Sequence, residues 1–145
     1  MRWEDIEDGV WTIPGEGREK GTAGRINLSS LALTILEALP VIAGNPYVFA
    51  GRGKIALNSF SECKAELDAK LSLPHWTLHD LRRSCRKLLT RVRVERDVAE
   101  LATGHVVKGV EGVYVDPEEY ETQIGEALQA VSREVERIVK ERKAK

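Results

Sequence analysis

Cysteine is scarce in this chain: Cys63 and Cys85 are the two present, and neither has a C-x-x-C partner or a histidine at ligand spacing beside it. Neither a disulfide framework nor a zinc site is expected; both thiols read as small core residues of a reducing compartment. Long apolar runs are missing as well. No stretch approaches the roughly 18 residues of a membrane helix, and no signal-peptide pattern opens the chain, so neither a membrane span nor export is expected and the cytoplasm is the expected location. An excess of one charge is also lacking: 22 Lys and Arg stand against 23 Asp and Glu, a formal net charge of −1. Taken whole, that balance is unlike the basic excess usual in nucleic-acid-binding domains. The patterns G-x-x-x-x-G-K-[ST], G-x-G-x-x-G and H-E-x-x-H are absent too, which leaves nucleotide hydrolysis, dinucleotide chemistry and zinc hydrolysis without support. No internal repeat is present.

What the chain does have is enough residues, 145, for one domain over 1–145 that needs no staple to fold. Residues 3–6, 10–13 and 25–28 read as three short strands of an antiparallel sheet, with a turn at Asp8-Gly9 and a glycine-rich loop over 15–24 that carries Lys20 at its tip. By itself Lys20 reads as a solvated loop lysine; Arg18 and Arg25 are the other cations nearby, and loop length does not fix which one reaches a phosphate. A helix over 31–39, capped by Ser29 or Ser30 and ended by Pro40, has Leu31, Ile35, Leu36 and Leu39 as its core stripe. A second runs from Asn58 or Ser59 to 71 with Phe60, Leu67 and Leu71 facing inward; Lys54, Lys64 and Lys70 read as surface charges. Asp116 and Pro117 suit the start of a last helix, a tail over 117–145 whose Ile124, Leu128, Val131, Val135 and Ile138 form a seam. That seam fits either this domain's own core or another chain.

The densest chemistry lies over 77–114. Thr77 with Asp80 three residues on has capping-box spacing and predicts a helix. Its Leu78, Leu81, Cys85, Leu88 and Val92 recur as a buried stripe, while His79, Arg82, Arg83 and Arg86 share another face. A short helix over 97–103 follows, which Gly104 can stop in a left-handed conformation with His105 just beyond it. The charge is also sorted here: 82–96 carries seven Arg and Lys against the single acid Glu95, whereas 116–121 is acidic. A local basic patch of that kind is what phosphate binding requires. Singly, each residue has an ordinary reading: histidines are more often core or surface residues than catalysts, and a tyrosine commonly buries its ring and hydrogen-bonds its tip.

Together they form a pattern: H-x-x-R at His79 and Arg82, G-H at Gly104 and His105, then Tyr114 nine residues on. This order and spacing closely resemble the catalytic domain of the tyrosine recombinases, the phage integrase family. The amino-terminal half is similar as well, through W-x-D-I at 3–6, V-W-T-I-P at 10–14, I-N-L-S at 26–29 and Y-V-F at 47–49. The likeness implies a mainly helical α+β domain with a small antiparallel β-sheet, the integrase catalytic fold. It also implies site-specific DNA recombination: integration or excision of phage or prophage DNA by strand cleavage and rejoining through a 3′-phosphotyrosine intermediate. Double-stranded DNA is the implied partner and a tetramer on DNA the implied assembly, with neither metal nor other cofactor.

The implied catalytic set is Tyr114 as nucleophile, Arg82, His79 and His105 around the scissile phosphate, and Lys20 as general acid; Arg83, Arg86 and Arg91 are expected on the DNA backbone. Chemistry agrees with these roles. Attack on a phosphodiester builds charge on its non-bridging oxygens, and a guanidinium stays cationic there at any working pH. Cations also lower the cost of a phenolate whose ordinary pKa is about 10. In two respects the chain departs from the family. Its first catalytic arginine belongs to a G-x-R-x-x-E segment upstream of the first strand, outside this sequence, as is the amino-terminal DNA-clamping domain; the chain alone is therefore expected to be inactive. Thr103 also stands where leucine often precedes G-H. The rival expectations are a catalytically dead DNA-binding or assembly remnant of an integrase, and a type IB topoisomerase-like enzyme.

Overall fold

The computed structural model describes residues 1–14, 24–105 and 121–144. Asp8 and Gly9 both take positive φ, 49° and 77°, the backbone that a two-residue hairpin needs to follow strand twist. They join β1 (Ile6–Glu7) to β2 (Val10–Ile13), which pairs on its other edge with β3 (Gly24–Asn27). The sheet is antiparallel with order β1-β2-β3. The first strand is shorter than expected, because Trp3–Asp5 forms a 3-10 turn in which the Asp5 carboxylate accepts the Arg2 N–H at 2.7 Å. That local bond competes successfully with strand pairing.

Among the described residues there are five α-helices: α1 (Ser30–Glu37), α2 (Phe60–Lys70), α3 (Leu78–Arg91), α4 (Arg96–Ala102) and α5 (Glu121–Lys143). The fold is thus a small α+β arrangement of helices and one three-stranded antiparallel sheet. No helix of the described residues is long and apolar enough to cross a membrane. Between α1 and α2, Asn45 organises the connecting segment: its buried amide donates to the carbonyls of Gly53 and Ile55 at 2.9 and 3.0 Å, and its side-chain oxygen accepts the Tyr47 N–H.

The core sits where α3, α4 and α5 meet. Leu89, Val98, Ala99, Ile124 and Ala127 are buried there, with Cys85, Val94, Leu128 and Val131 packed against them. The seam of α5 therefore lies on this domain's own core, and the same helix also packs on β3 and α1. Gly125 makes the β3 contact close, since a Cβ added to it would stand 2.8 Å from the Asn27 Cβ. A buried Ser132 hydroxyl donates to Ser29 at 2.9 Å, and Ser29 in turn accepts from the Ala32 N–H at the start of α1.

Three expected core stripes are corrected. Leu78 and Leu81 are 46% and 58% exposed, and the α3 stripe is centred on Leu89, which is fully buried. Phe60 and Leu67 of α2, and Leu71 just after it, are exposed rather than inward-facing, and so is Ile35 of α1. The reason is common to all: helical spacing fixes which residues share a face, but burial needs a partner element. Among the described residues, α4 and α5 cover the carboxyl-terminal part of α3, and no element packs extensively on α2.

Candidate functional site

Thr77 opens α3 as its spacing predicts. Asp80 accepts from both the N–H and the hydroxyl of Thr77, at 2.9 and 2.8 Å. Those two bonds, with a lesser contribution from Arg83, hold the Asp80 carboxyl below its ordinary pKa. The start of the helix is thereby fixed in register, and His79 and Arg82 stand one turn apart on an exposed face.

The other half of the site is built by the end of α4. Gly104 takes φ +73°, its N–H donates to the Leu101 carbonyl at 2.8 Å, and the His105 N–H donates to the Glu100 carbonyl at 2.9 Å. This paired closure is a Schellman motif, and it turns His105 back beside the helix it follows. The end of α3 has the same closure, through Arg93 to Thr90 and Val94 to Leu89, but with Arg93 in the left-handed position at φ 62°.

Side chains tie the two halves together. The Arg82 guanidinium donates to the Thr103 carbonyl, next to Gly104. Arg86 Nε donates to Glu100 Oε1 at 3.0 Å, and Glu100 Oε2 lies 2.6 Å from His105 Nδ1. The Thr103 hydroxyl donates at 3.0 Å toward the Ala99 and Glu100 carbonyls and is 3.4 Å from His105 Nδ1. Two motif segments far apart in sequence thus converge on a single corner. Hydrogen bonding from His105 first, and from Arg86 second, holds the Glu100 carboxyl below the usual carboxylate range. Cys85, one turn after Arg82, has its thiol pKa pushed up by burial, which Arg82 partly opposes; it is not set up as a nucleophile.

Of the expected catalytic residues, Arg82 and His105 stand at this corner and His79 is exposed on α3 one turn before Arg82, whereas Lys20 and Tyr114 lie outside the described residues. The three arginines expected on DNA all have carboxylate partners: Arg83 with Asp80 at 3.1 Å, Arg86 with Glu100, and Arg91 with Glu134 of α5 at 2.8 Å. Among the described residues no cluster of His, Cys, Asp or Glu could hold a metal ion. Glu100 and Thr103 were not singled out as contributors by the sequence. Two sequence signals point to them: Glu100 precedes His105 by five residues, the span of a Schellman closure, and Thr103 is a polar residue directly before Gly104, which the structure then buries. Comparison with protein-family models, curated proteins and solved structures finds no match to the chain.

Proposed function

We propose that this chain is the catalytic part of a tyrosine recombinase, which cuts and rejoins DNA strands through a phosphotyrosine. One observation carries the reading: Arg82 of the H-x-x-R segment and His105 of the G-H segment meet at a single corner, with Arg82 on the Thr103 carbonyl and His105 on Glu100. A phosphate at that corner would face a guanidinium and the His105 imidazole, with His79 one turn before Arg82 on α3, donors of the kind that charge on its non-bridging oxygens calls for.

In the proposed reaction the Tyr114 oxygen attacks the phosphorus as its proton leaves, and the bond from phosphorus to the 5′ oxygen breaks. Lys20 protonates that oxygen. The strand is then held as a 3′-phosphotyrosine ester, and a 5′-hydroxyl from a partner strand attacks the same phosphorus and expels the phenol. One phosphoester replaces another, so the exchange needs neither ATP nor an oxidant. A specific observation favours the rival of a non-catalytic remnant: Arg83, Arg86 and Arg91 are engaged with carboxylates of their own chain.

Covalent trapping separates the two. The purified chain is incubated with duplex DNA in which sulfur replaces the bridging 5′ oxygen, a leaving group of thiol pKa about 8.5 that departs without a general acid. On this activated leaving group, though not on ordinary DNA, the expected result is a denaturation-resistant adduct that maps to Tyr114 by peptide mass and disappears in Tyr114→Phe. Adduct on Tyr120, or adduct persisting in Tyr114→Phe, would overturn the assignment; no adduct at all would favour the remnant. Relaxation of a supercoiled plasmid without strand exchange would instead indicate a topoisomerase.

A further inference from the structure

We propose that Glu100 is a positioning residue for His105, fixing the proton on Nδ1 so that Nε2 is the ring nitrogen presented to an anionic oxygen. The proposal rests on the recombinase reading for the identity of that anion, a phosphodiester, but its geometry is independent of it. Glu100 holds His105 twice, accepting its N–H at 2.9 Å through the backbone carbonyl and meeting Nδ1 at 2.6 Å through Oε2. The carboxylate is in turn braced from α3, because Arg86 Nε donates to its other oxygen at 3.0 Å. Arg86 is itself steadied by Nη1 donating to the Thr90 hydroxyl at 2.9 Å.

The surroundings of Nδ1 leave little choice of tautomer. On one side is a carboxylate oxygen, which accepts only. On the other, 3.4 Å away, is the Thr103 hydroxyl, whose proton is directed to the Ala99 and Glu100 carbonyls and whose free lone pair can accept. Nδ1 therefore carries the proton. The ring's opposite edge belongs to a half-exposed side chain. With both ring nitrogens protonated, Nε2 is a donor to an incoming phosphate oxygen. The depressed pKa of Glu100 accords with a carboxylate kept ionised for this purpose. The same logic orients functional histidines elsewhere, where the atom hydrogen-bonded at one ring nitrogen decides what the other can do.

Two measurements on the 145-residue chain test this. With ¹⁵N-labelled histidine, two-bond ¹H–¹⁵N spectra report which ring nitrogens carry protons, and His105→Gln assigns the His105 signals. Expected is a protonated Nδ1 in the wild type that is lost in part in Glu100→Ala, with the His75 and His79 signals unmoved. A bare Nδ1 in the wild type, or an unchanged ring in the folded variant, would overturn the proposal. If Glu100→Ala does not fold, Glu100→Gln, which keeps an acceptor but not the charge, is read in its place for a shift of the His105 signals; none would be equally adverse. The second measurement is the rate of adduct formation on the sulfur-substituted DNA at saturation, expected to fall by about 10- to 100-fold in Glu100→Gln with DNA affinity unchanged, the scale typical when a histidine loses its orienting partner. Loss of affinity without loss of rate would also contradict it. Absence of adduct in the wild type would defeat the recombinase reading, while the ring spectra would still decide the role of Glu100.

Discussion

At the scale of single residues, Gly125 gives the sharpest expectation. Alanine normally favours a helix interior over glycine by about 1 kcal/mol, but here its Cβ would sit 2.8 Å from the Asn27 Cβ. Gly125→Ala should therefore destabilise the fold by about 1–3 kcal/mol through overpacking; urea unfolding followed by circular dichroism would reveal a raised midpoint if the β3–α5 contact were looser than this. Asp80 makes a second expectation. Its folded pKa is depressed by the Thr77 bonds, so its contribution is present above the unfolded value of about 3.9 and is lost as pH falls through the lower, folded value. Melting temperature should drop below about pH 4 less steeply in Asp80→Asn than in the wild type; parallel curves would show that the capping bonds do not differ between folded and unfolded chains. Both residues lie in local patterns, yet only one was legible. Thr77 and Asp80 are three apart and announce their bond, whereas nothing near Gly125 in sequence announces Asn27.

At the scale of elements, α5 decides the most. Its Ile124, Ala127 and Ser132 are buried against α3, α4 and the start of α1. Removing residues after Asp116 should therefore unfold the domain, and a cooperative thermal transition in the truncated chain would return the seam to the role of an intermolecular contact. Leu89 is the one large side chain with no exposure among the described residues, and Leu89→Ala is expected to cost about 2–5 kcal/mol in denaturant unfolding. Ser29→Ala should cost about 1–2 kcal/mol, since it removes the α1 cap and strands the buried Ser132 hydroxyl. The double variant with Ser132→Ala should cost less than the sum of the single changes, as expected for a coupled pair. The seam's residues were legible as one face from their spacing; which surface they meet was not, because spacing along α5 carries no information about α3 or α4.

At the scale of the whole molecule, a net charge of −1 and arginines already paired with carboxylates predict weak DNA binding. Each phosphate neutralised contributes about −0.9 to the slope of log affinity against log salt, so fluorescence anisotropy across salt concentrations counts the arginines that leave their carboxylates for DNA. The amino-acid sequence by itself determined the motif order, a helix start at Ser29 or Ser30 and another at Thr77, the Asp8-Gly9 hairpin and the left-handed Gly104, because each depends on bonds between residues a few positions apart. Tertiary structure alone decided that Leu78, Leu81 and Phe60 are exposed, that α5 closes its own core, and that Glu100 stands between Arg86 and His105. Burial and long-range ion pairing are properties of two surfaces that meet, and a periodic pattern on one helix specifies only one of them.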